Sequence, residues 1–416
     1  MVSQKLFTRN FVLLILGQAS SLFGNYILKL ALSMYVLEIT GSAAVFAGIL
    51  SVAIVPTILL SPLGGIVADR VNKRNIMVVL DALTGLSVLG AALVLSSVNA
   101  IIIICVLLVL LSIFGAFETP TVQACIPSML TGENITKGNA VVNQIASLAY
   151  LIAPMLGSIL YTVFGLKPVM YASVVCFFLT AVFECFIKLD YQAWDCHSGV
   201  FSIIKEDFLQ SMRFILKEES DIVKMLGFTA VSRFFVMGIT MVGLPYIVRN
   251  ILGLNARYYG MAESALAIAT ILGSIVAGLF VEKIKSNKLS CILSAIGVCI
   301  VPAGIAFLLP VNVFVRYIIN IISFCGMQIA ISIFSIYAVS IIQQKTPNHL
   351  IGKVMAYTSV ITLCVQPVGQ IIYGYLFDKF CDVVYIVLIP SGIVVCIIGL
   401  LATGFFRNME KEDDRG

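Results

Sequence analysis

Six ionisable side chains stand alone inside long apolar runs: Lys29, Asp81, Glu118, Glu184, Arg233 and Glu263. On insertion scales such a group costs about 2.5–3.5 kcal/mol or more in a membrane span, so each calls for a reason. A carboxylate withdrawn from water can exchange a proton near neutral pH. A lone lysine or arginine can hold an anionic ligand or pair with a buried acid. Glu118, in the stretch FGAFETPTVQACIP, and Glu263 are the candidate proton carriers. Salt bridging is the competing use for Asp81, Glu118 and Glu184, and a pairing with Glu263 is the competing use for Arg233 and Lys29.

No catalytic set accompanies these charges. The phosphate-cradling pattern GxxxxGK[ST] is absent, which argues against a built-in ATPase. The two histidines, His197 and His349, fall in loops with no serine and acid to complete a nucleophilic arrangement. Of 11 cysteines, several (Cys105, Cys176, Cys299, Cys325, Cys396) lie within apolar runs. No CxxC or Cys/His spacing suggests a metal site, and the cysteines read as small apolar packers. The chain is expected to be no enzyme and to need neither metal nor cofactor.

The elements that position these charges follow from composition. Hydrophobic residues make up 60% of 416 and charged residues 11%, with mean hydropathy +1.06. A soluble chain is about 45–50% apolar and about 25% charged, so this one belongs in a bilayer. Continuous apolar runs, rather than alternation, select helices over a barrel. The expected fold is all-α and integral to the membrane, with twelve spans near residues 11–37, 42–67, 75–97, 99–120, 137–163, 168–188, 221–249, 256–281, 289–309, 312–342, 351–377 and 383–406. The first run shows no cleavage pattern and reads as a retained span. Between spans six and seven lies a linker, 189–220, where Ile204, Phe208, Met212 and Ile215 give an amphipathic helix. It separates a first half, 1–188, from a second, 221–406, and the tail is 407–416.

Lysine and arginine concentrate at the N-terminus, in the even-numbered loops and in the tail. The odd-numbered loops and adjoining span ends hold Lys167, Arg249, Arg257, Arg316 and Lys379. The positive-inside rule then places both termini in the cytosol. The net charge of +5 reflects that topology, and nucleic acid is not implied.

One charged turn, GGIVADRVNKRN (Gly64 to Asn75), separates spans two and three, and AGLFVEKIKSNK (Ala277 to Lys288) repeats it. Gly278 answers Gly65, Glu282 answers Asp69 and Lys283 answers Arg70. The same offset carries APMLG (Ala153 to Gly157) onto QPVGQ (Gln366 to Gln370). Two six-span halves built from one repeat is an arrangement of secondary transporters. Gly64 and Gly65 are expected to let span two approach a neighbour closely.

Twelve spans in two repeats with G-x-x-x-D-R-x-x-[KR]-R after span two resemble the major facilitator superfamily. GQASSLFGN, LEITGSAAVFAGIL, IPSMLTGENITKGNAVVNQIASLAYLIAPMLG and GKVMAYTSVITLCVQPVGQIIYGYLFD resemble its macrolide-efflux-like branch of proton-driven drug exporters. The resemblance implies that spans one, four, seven and ten line a central cavity. Asn25 and Lys29, Arg233, and Asn320 and Gln328 on span ten thereby become substrate-cavity candidates, although amides within spans also serve as interhelix glue. Arg233 lies roughly 12 residues into span seven, about 18 Å along it. The resemblance also implies a cytosolic gate of Gly65, Asp69, Arg70, Lys73, Arg74, Asp81, Glu282 and Lys283. In it Asp69 would meet the N-terminal, partially positive end of span eleven. Many relatives carry Gly-Asp where this chain has Gly24-Asn25, which puts proton coupling through span one in doubt and favours anionic or zwitterionic ligands.

The implied activity is export of amphipathic, macrolide-like small molecules by alternating access in exchange for protons, by a monomer in a cell (inner) membrane. One rival is an exporter or flippase of an endogenous anionic metabolite or lysolipid that need not be proton-coupled. Another is a ligand sensor derived from a transporter, for which only the 189–220 loop and the acidic tail EKEDDRG offer extra-membrane sequence.

Overall fold

A computed structural model describes residues 6–96, 98–189, 220–279, 288–347 and 351–413. Among them, twelve helices are long and apolar enough to cross a membrane. In chain order they are α1 (Arg9–Thr40), α2 (Ala43–Arg70), α3 (Lys73–Val94), α4 (Ala100–Met129), α5 (Glu133–Phe164) and α6 (Leu166–Cys185), then α7 (Ser220–Met237 and its continuation). The rest are α8 (Ala256–Leu279), α9 (Leu289–Leu308), α10 (Val313–Gln344), α11 (Ile351–Lys379) and α12 (Tyr385–Leu401), whose span runs on into a short α13 (Thr403–Asp413) that is not a span of its own. The amphipathic linker helix, Glu282, Lys283 and His349 lie outside the described residues.

Local chemistry sets the helix ends. The Thr8 side chain accepts from the Phe11 amide at the start of α1, and Gly41, at φ 62°, closes its end in a left-handed turn. Asn72 caps α3 and Asn312 caps α10 in the same manner as Thr8. Prolines stand within α2, α4, α5, α9, α11 and α12. Neighbouring helices and hydroxyl side chains can re-satisfy the backbone groups that prolines free within a membrane. The α7 span departs most from a regular helix: after Met237 it runs through π-helical Gly238–Gly243, a short turn Leu244–Tyr246 and π-helical Ile247–Ile251.

Large apolar side chains face outward along the helices, among them Leu59 at 67% exposed, Ile102 at 69% and Val175 at 65%. An exterior of that kind suits lipid and not water. The interior seams are made by small residues and hydroxyls, since lipid offers helices no hydrophobic reason to associate.

The contacts divide the chain into two compact units. Unit 1 takes residues 1–41, 49–198 and 255–264, and unit 2 takes 42–48, 199–254 and 265–416. A division at the linker alone does not produce this pattern, because the first turns of α2 and of α8 separate from the rest of their helices.

In unit 1, α1 packs against α5 and α6, and α3 packs against α6. Along the α1–α6 seam Ser173 donates to the Gly24 carbonyl at 3.1 Å, Thr180 to the Gly17 carbonyl at 3.1 Å, and Ser20 to the Cys176 carbonyl at 2.9 Å. In unit 2, α9 packs on α10 and α12, and α11 packs on α7.

Candidate functional site

A polar cavity of about 560 Å³ opens inside unit 1, walled mainly by α1, α4 and α5, with Thr57 from α2. On α1 the lining residues Gln18, Ser21, Asn25 and Lys29 recur every three or four positions, so one face of an otherwise apolar helix carries them all. On α4 the polar lining residues are Ser112, Glu118, Thr119 and Gln123, and on α5 Asn139 and Asn143 stand one turn apart. Thr57 and Ser112 share a hydroxyl hydrogen bond of 2.8 Å on the wall.

Two opposite charges meet in this space. Lys29 is exposed to the cavity yet lies deep among the atoms of the unit, and the charge it feels is Glu118. The Gln18 side chain hydrogen-bonds to Glu118, while Oδ1 of Asn25 has no hydrogen-bond partner. Buried polar atoms are nearly always paired, so an orphaned acceptor on the cavity wall is a position for a ligand. The site offers a cation, an anion and an unused acceptor on fixed helices.

Behind the wall, three carboxylates converge from three helices. Asp81 of α3 and Glu184 of α6 are fully buried. The Ser21 hydroxyl reaches Asp81 Oδ1 at 3.0 Å and Glu118 Oε1 at 3.5 Å. Asp81, which the resemblance puts in a cytosolic gate, accepts this bond from Ser21 of α1. Arg74, from the charged turn, donates through its guanidinium to the Cys185 carbonyl at the end of α6.

The glycines of that turn also divide. A Cβ on Gly64 would run into the Ala116 carbonyl and lie 3.1 Å from Pro120 Cγ, so Gly64 is the point of close approach between α2 and α4. A Cβ on Gly65 would meet nothing within 4 Å, and the same holds for its repeat partner Gly278. The expectation that Gly65 serves close packing is therefore corrected, because adjacent residues on a helix face directions about 100° apart. Arg70 ends α2 half-buried and Lys73 begins α3. Asp69 lies in the last turn of α2, and its side chain is outside the described residues.

The remaining candidates are distributed between the units. In unit 1, the Tyr259 hydroxyl donates to Glu263 Oε1 one turn along α8. Tyr26, on the cavity wall, and Tyr150 pack edge to face at 5.7 Å. In unit 2, Arg233 is half-buried beside Phe234 and Phe235, whose rings pack together at 5.1 Å and each against Tyr373. Asn320 is buried, with its Nδ2 donating to the Arg316 carbonyl at 2.9 Å and its Oδ1 without a partner. Gln328 Nε2 donates to the Thr270 hydroxyl at 3.0 Å, which joins α10 to α8. This bond is interhelix glue, the competing use that the sequence left open.

The Major Facilitator Superfamily profile matches residues 14–365. The chain belongs to that superfamily. Relatives of this facilitator include macrolide efflux protein A of Streptococcus pyogenes, 23% identical over 385 residues and 92% of each chain. The multidrug efflux pump Tap of Mycolicibacterium fortuitum is 21% identical over 371 residues, 85% of this chain and 86% of its own. Among solved structures, a nucleoside transporter superposes with TM-score 0.74 at 12% identity, covering 95% of this chain and 99% of that one. A bacterial homologue of the iron transporter ferroportin gives 0.73 at 15% identity, with 95% and 98% covered. These likenesses show a twelve-helix facilitator fold, and the protein is a multi-pass membrane transporter and not an enzyme.

The facilitator also carries a contact that its sequence did not flag. Asp378, in the last turn of α11, accepts from the Ser42 hydroxyl at 2.5 Å and from the Ala43 and Ala44 amides at 2.6 and 3.0 Å. All these residues belong to unit 2. A carboxylate from one helix thus caps the N-terminus of another and meets its partial positive charge. Tyr246, between the π-helical stretches of α7, interacts with the same carboxylate. Sequence reasoning had placed such a contact at Asp69 and the opposite end of α11. Asp378 gave no separate signal, since an acid at a helix end is unremarkable until its tertiary neighbour is known.

Proposed function

We propose that this transporter exports amphipathic small molecules from the cytosol by alternating access, in exchange for protons. The observation that carries the reading is the cavity of unit 1, where Lys29 and Glu118 face one space beside the orphaned Asn25 Oδ1. Macrolide and multidrug efflux relatives support the substrate class.

The chemistry is competition. Ionised Glu118 attracts Lys29 and any cationic group of a ligand, and a proton on Glu118 removes that attraction. Lys29 takes an anionic group, and the amides orient uncharged polar parts of the molecule. If substrate and proton compete for one carboxylate, neither is carried with the other, which is the condition for exchange. The two six-span halves, 1–188 and 221–406, would expose the cavity alternately to the two sides. Both termini lie in the cytosol of a cell (inner) membrane, and the working unit is a monomer.

A second reading is export or flipping of an endogenous anionic metabolite or lysolipid without protons. The observation favouring it is Asn25, an uncharged amide on the cavity wall one turn from Lys29. Everted membrane vesicles with an acid interior separate the two. Under the exchange reading, one class in a panel of cationic, zwitterionic and anionic amphiphiles triggers proton leakage, and Glu118→Gln abolishes it. Ligand movement without any proton signal would transfer the assignment to the second reading.

A further inference from the structure

Asp81 and Glu184 are fully buried acids that a substrate in the cavity does not touch. Of their four carboxyl oxygens three, Asp81 Oδ2 and both oxygens of Glu184, meet no donor outside the pair, while the two acids hydrogen-bond to each other. The fourth, Asp81 Oδ1, accepts from Ser21, whose hydroxyl also lies 3.5 Å from Glu118 Oε1. Serine has one hydroxyl proton. It can donate to only one of two carboxylates, and it bonds to both only when the other is protonated and donates to it. The geometry is that of a hydroxyl between a proton donor and a proton acceptor.

The charges around the pair give the same answer. Lys29 of α1 faces Glu118. From α3, Lys73 acts on Cys125 of α4, which lies beside Met77 and feels Glu184. Arg74 is turned to the Cys185 carbonyl. Asp81 and Glu184 thus act on each other and on Glu118, and a shared proton offsets the repulsion of two buried like charges. Glu184 lies against α1 at Gly17, where an added Cβ would stand 3.6 Å from its Cγ. Among the described residues no three His, Cys, Asp or Glu converge closely enough to hold a metal ion.

We propose that Asp81 and Glu184 form a second proton-binding site in unit 1, filled from Glu118 through the Ser21 hydroxyl. In the step, the carboxyl proton of Glu118 passes to Ser21 Oγ as the Ser21 hydroxyl proton passes to Asp81 Oδ1. One O–H bond breaks and one forms at Ser21. Glu118 is left ionised beside Lys29, and Asp81 is neutral beside Glu184. The cavity carboxylate is then free for a ligand while the proton is stored behind the wall. The inference rests on the reading of Glu118 as a proton carrier, but its test needs neither gradient nor substrate.

The test is infrared difference spectroscopy of the full-length protein in nanodiscs, following the carbonyl stretch of protonated carboxyl groups near neutral pH. Part of the band should survive Glu118→Gln, and that remainder should disappear in the double variants that add Asp81→Asn or Glu184→Gln. With Glu118 in place, hydrogen–deuterium exchange of the pair's part of the band should slow by about tenfold in Ser21→Ala, the scale of one lost hydrogen bond, and recover in Ser21→Thr. The Thr variant distinguishes loss of the hydroxyl from a packing defect, and each substitution of the pair checks the other if one fails to fold. A band lost entirely in Glu118→Gln would overturn the proposal, as would exchange indifferent to Ser21→Ala. So would a band that vanishes when sodium replaces choline, since the site would then hold a metal cation. Proton-independent flux with the pair's band present would reject the exchange reading and leave the site; coupled flux without that band would do the reverse.

Discussion

Replacing Asp378 by alanine removes the acceptor for three donors at once: the Ser42 hydroxyl and the Ala43 and Ala44 amides. Loss of a helix N-cap costs about 0.5–2 kcal/mol, and hydrogen bonds to a charged group contribute about 1.5–3 kcal/mol each when nothing replaces them. Ser42 can turn back to cap its own helix, since its Oγ already accepts from the Val45 amide at 3.1 Å. The amides at a helix end can also find water. A net local loss of about 2 kcal/mol is therefore expected, near the top of the capping range, or about 30-fold in the opening equilibrium. Asp378→Asn keeps one acceptor oxygen and loses the charge–dipole attraction, for about 0.3–1 kcal/mol. Hydrogen exchange resolved at Ala43 and Ala44 in nanodiscs reads this directly, because protection reports local opening. The order of protection should be wild type, then Asn, then Ala, with the α5–α6 region unchanged as an internal control. Unaltered protection at Ala43 and Ala44 in the alanine variant would refute the reasoning that Asp378 caps α2.

Three further outcomes follow from the contacts of Gly64, Gln328 and Lys29. Gly64→Ala should lower the thermal midpoint, with about 1–3 kcal/mol of overpacking against the Ala116 carbonyl, whereas Gly65→Ala should stay within about 0.5 kcal/mol. Equal effects would contradict the assignment of close packing to Gly64 alone. Gln328→Leu should cost about 0.6 kcal/mol through loss of its bond to Thr270 and leave ligand affinity as it was; a large affinity loss would return Gln328 to the substrate site. Lys29→Met should weaken binding of anionic and zwitterionic probes by about tenfold or more, as expected for removal of a charged hydrogen-bond partner, and tighten binding of cationic probes, which no longer compete with Lys29 for Glu118. Equilibrium binding to the purified protein distinguishes these classes.

The fold was legible because a bilayer imposes a simple code. Apolar runs of span length, punctuated by charged turns, leave little choice but helices, and the shared offset of Gly278 and Pro367 from Gly65 and Pro154 exposed the two-fold repeat. The acids Asp81, Glu118 and Glu184 were legible for the same reason, as isolated charges with no water to hold them. The meeting of Asp81 and Glu118 at Ser21, with Glu184 beside Asp81, was not. It depends on how α1, α3, α4 and α6 are rotated about their axes, and apolar spans with little amphipathicity carry almost no information about rotation. Gln18, Asn139 and Asn143 were missed because an amide in a span reads equally well as glue. For Gln328, read as a cavity residue, the glue reading fits the observed bond. Gly64 and Gly65 show the limit most plainly, since two identical neighbours differ completely in what they touch.

The most direct test of the central claim uses purified protein in liposomes, with a labelled macrolide-like amphiphile outside and an acid interior set against a neutral exterior. Proton–substrate exchange predicts that the ligand accumulates while the gradient lasts, that a protonophore stops accumulation, and that Glu118→Gln removes it. Accumulation of the same extent with the gradient collapsed would contradict exchange and leave a transporter that moves its ligand without protons.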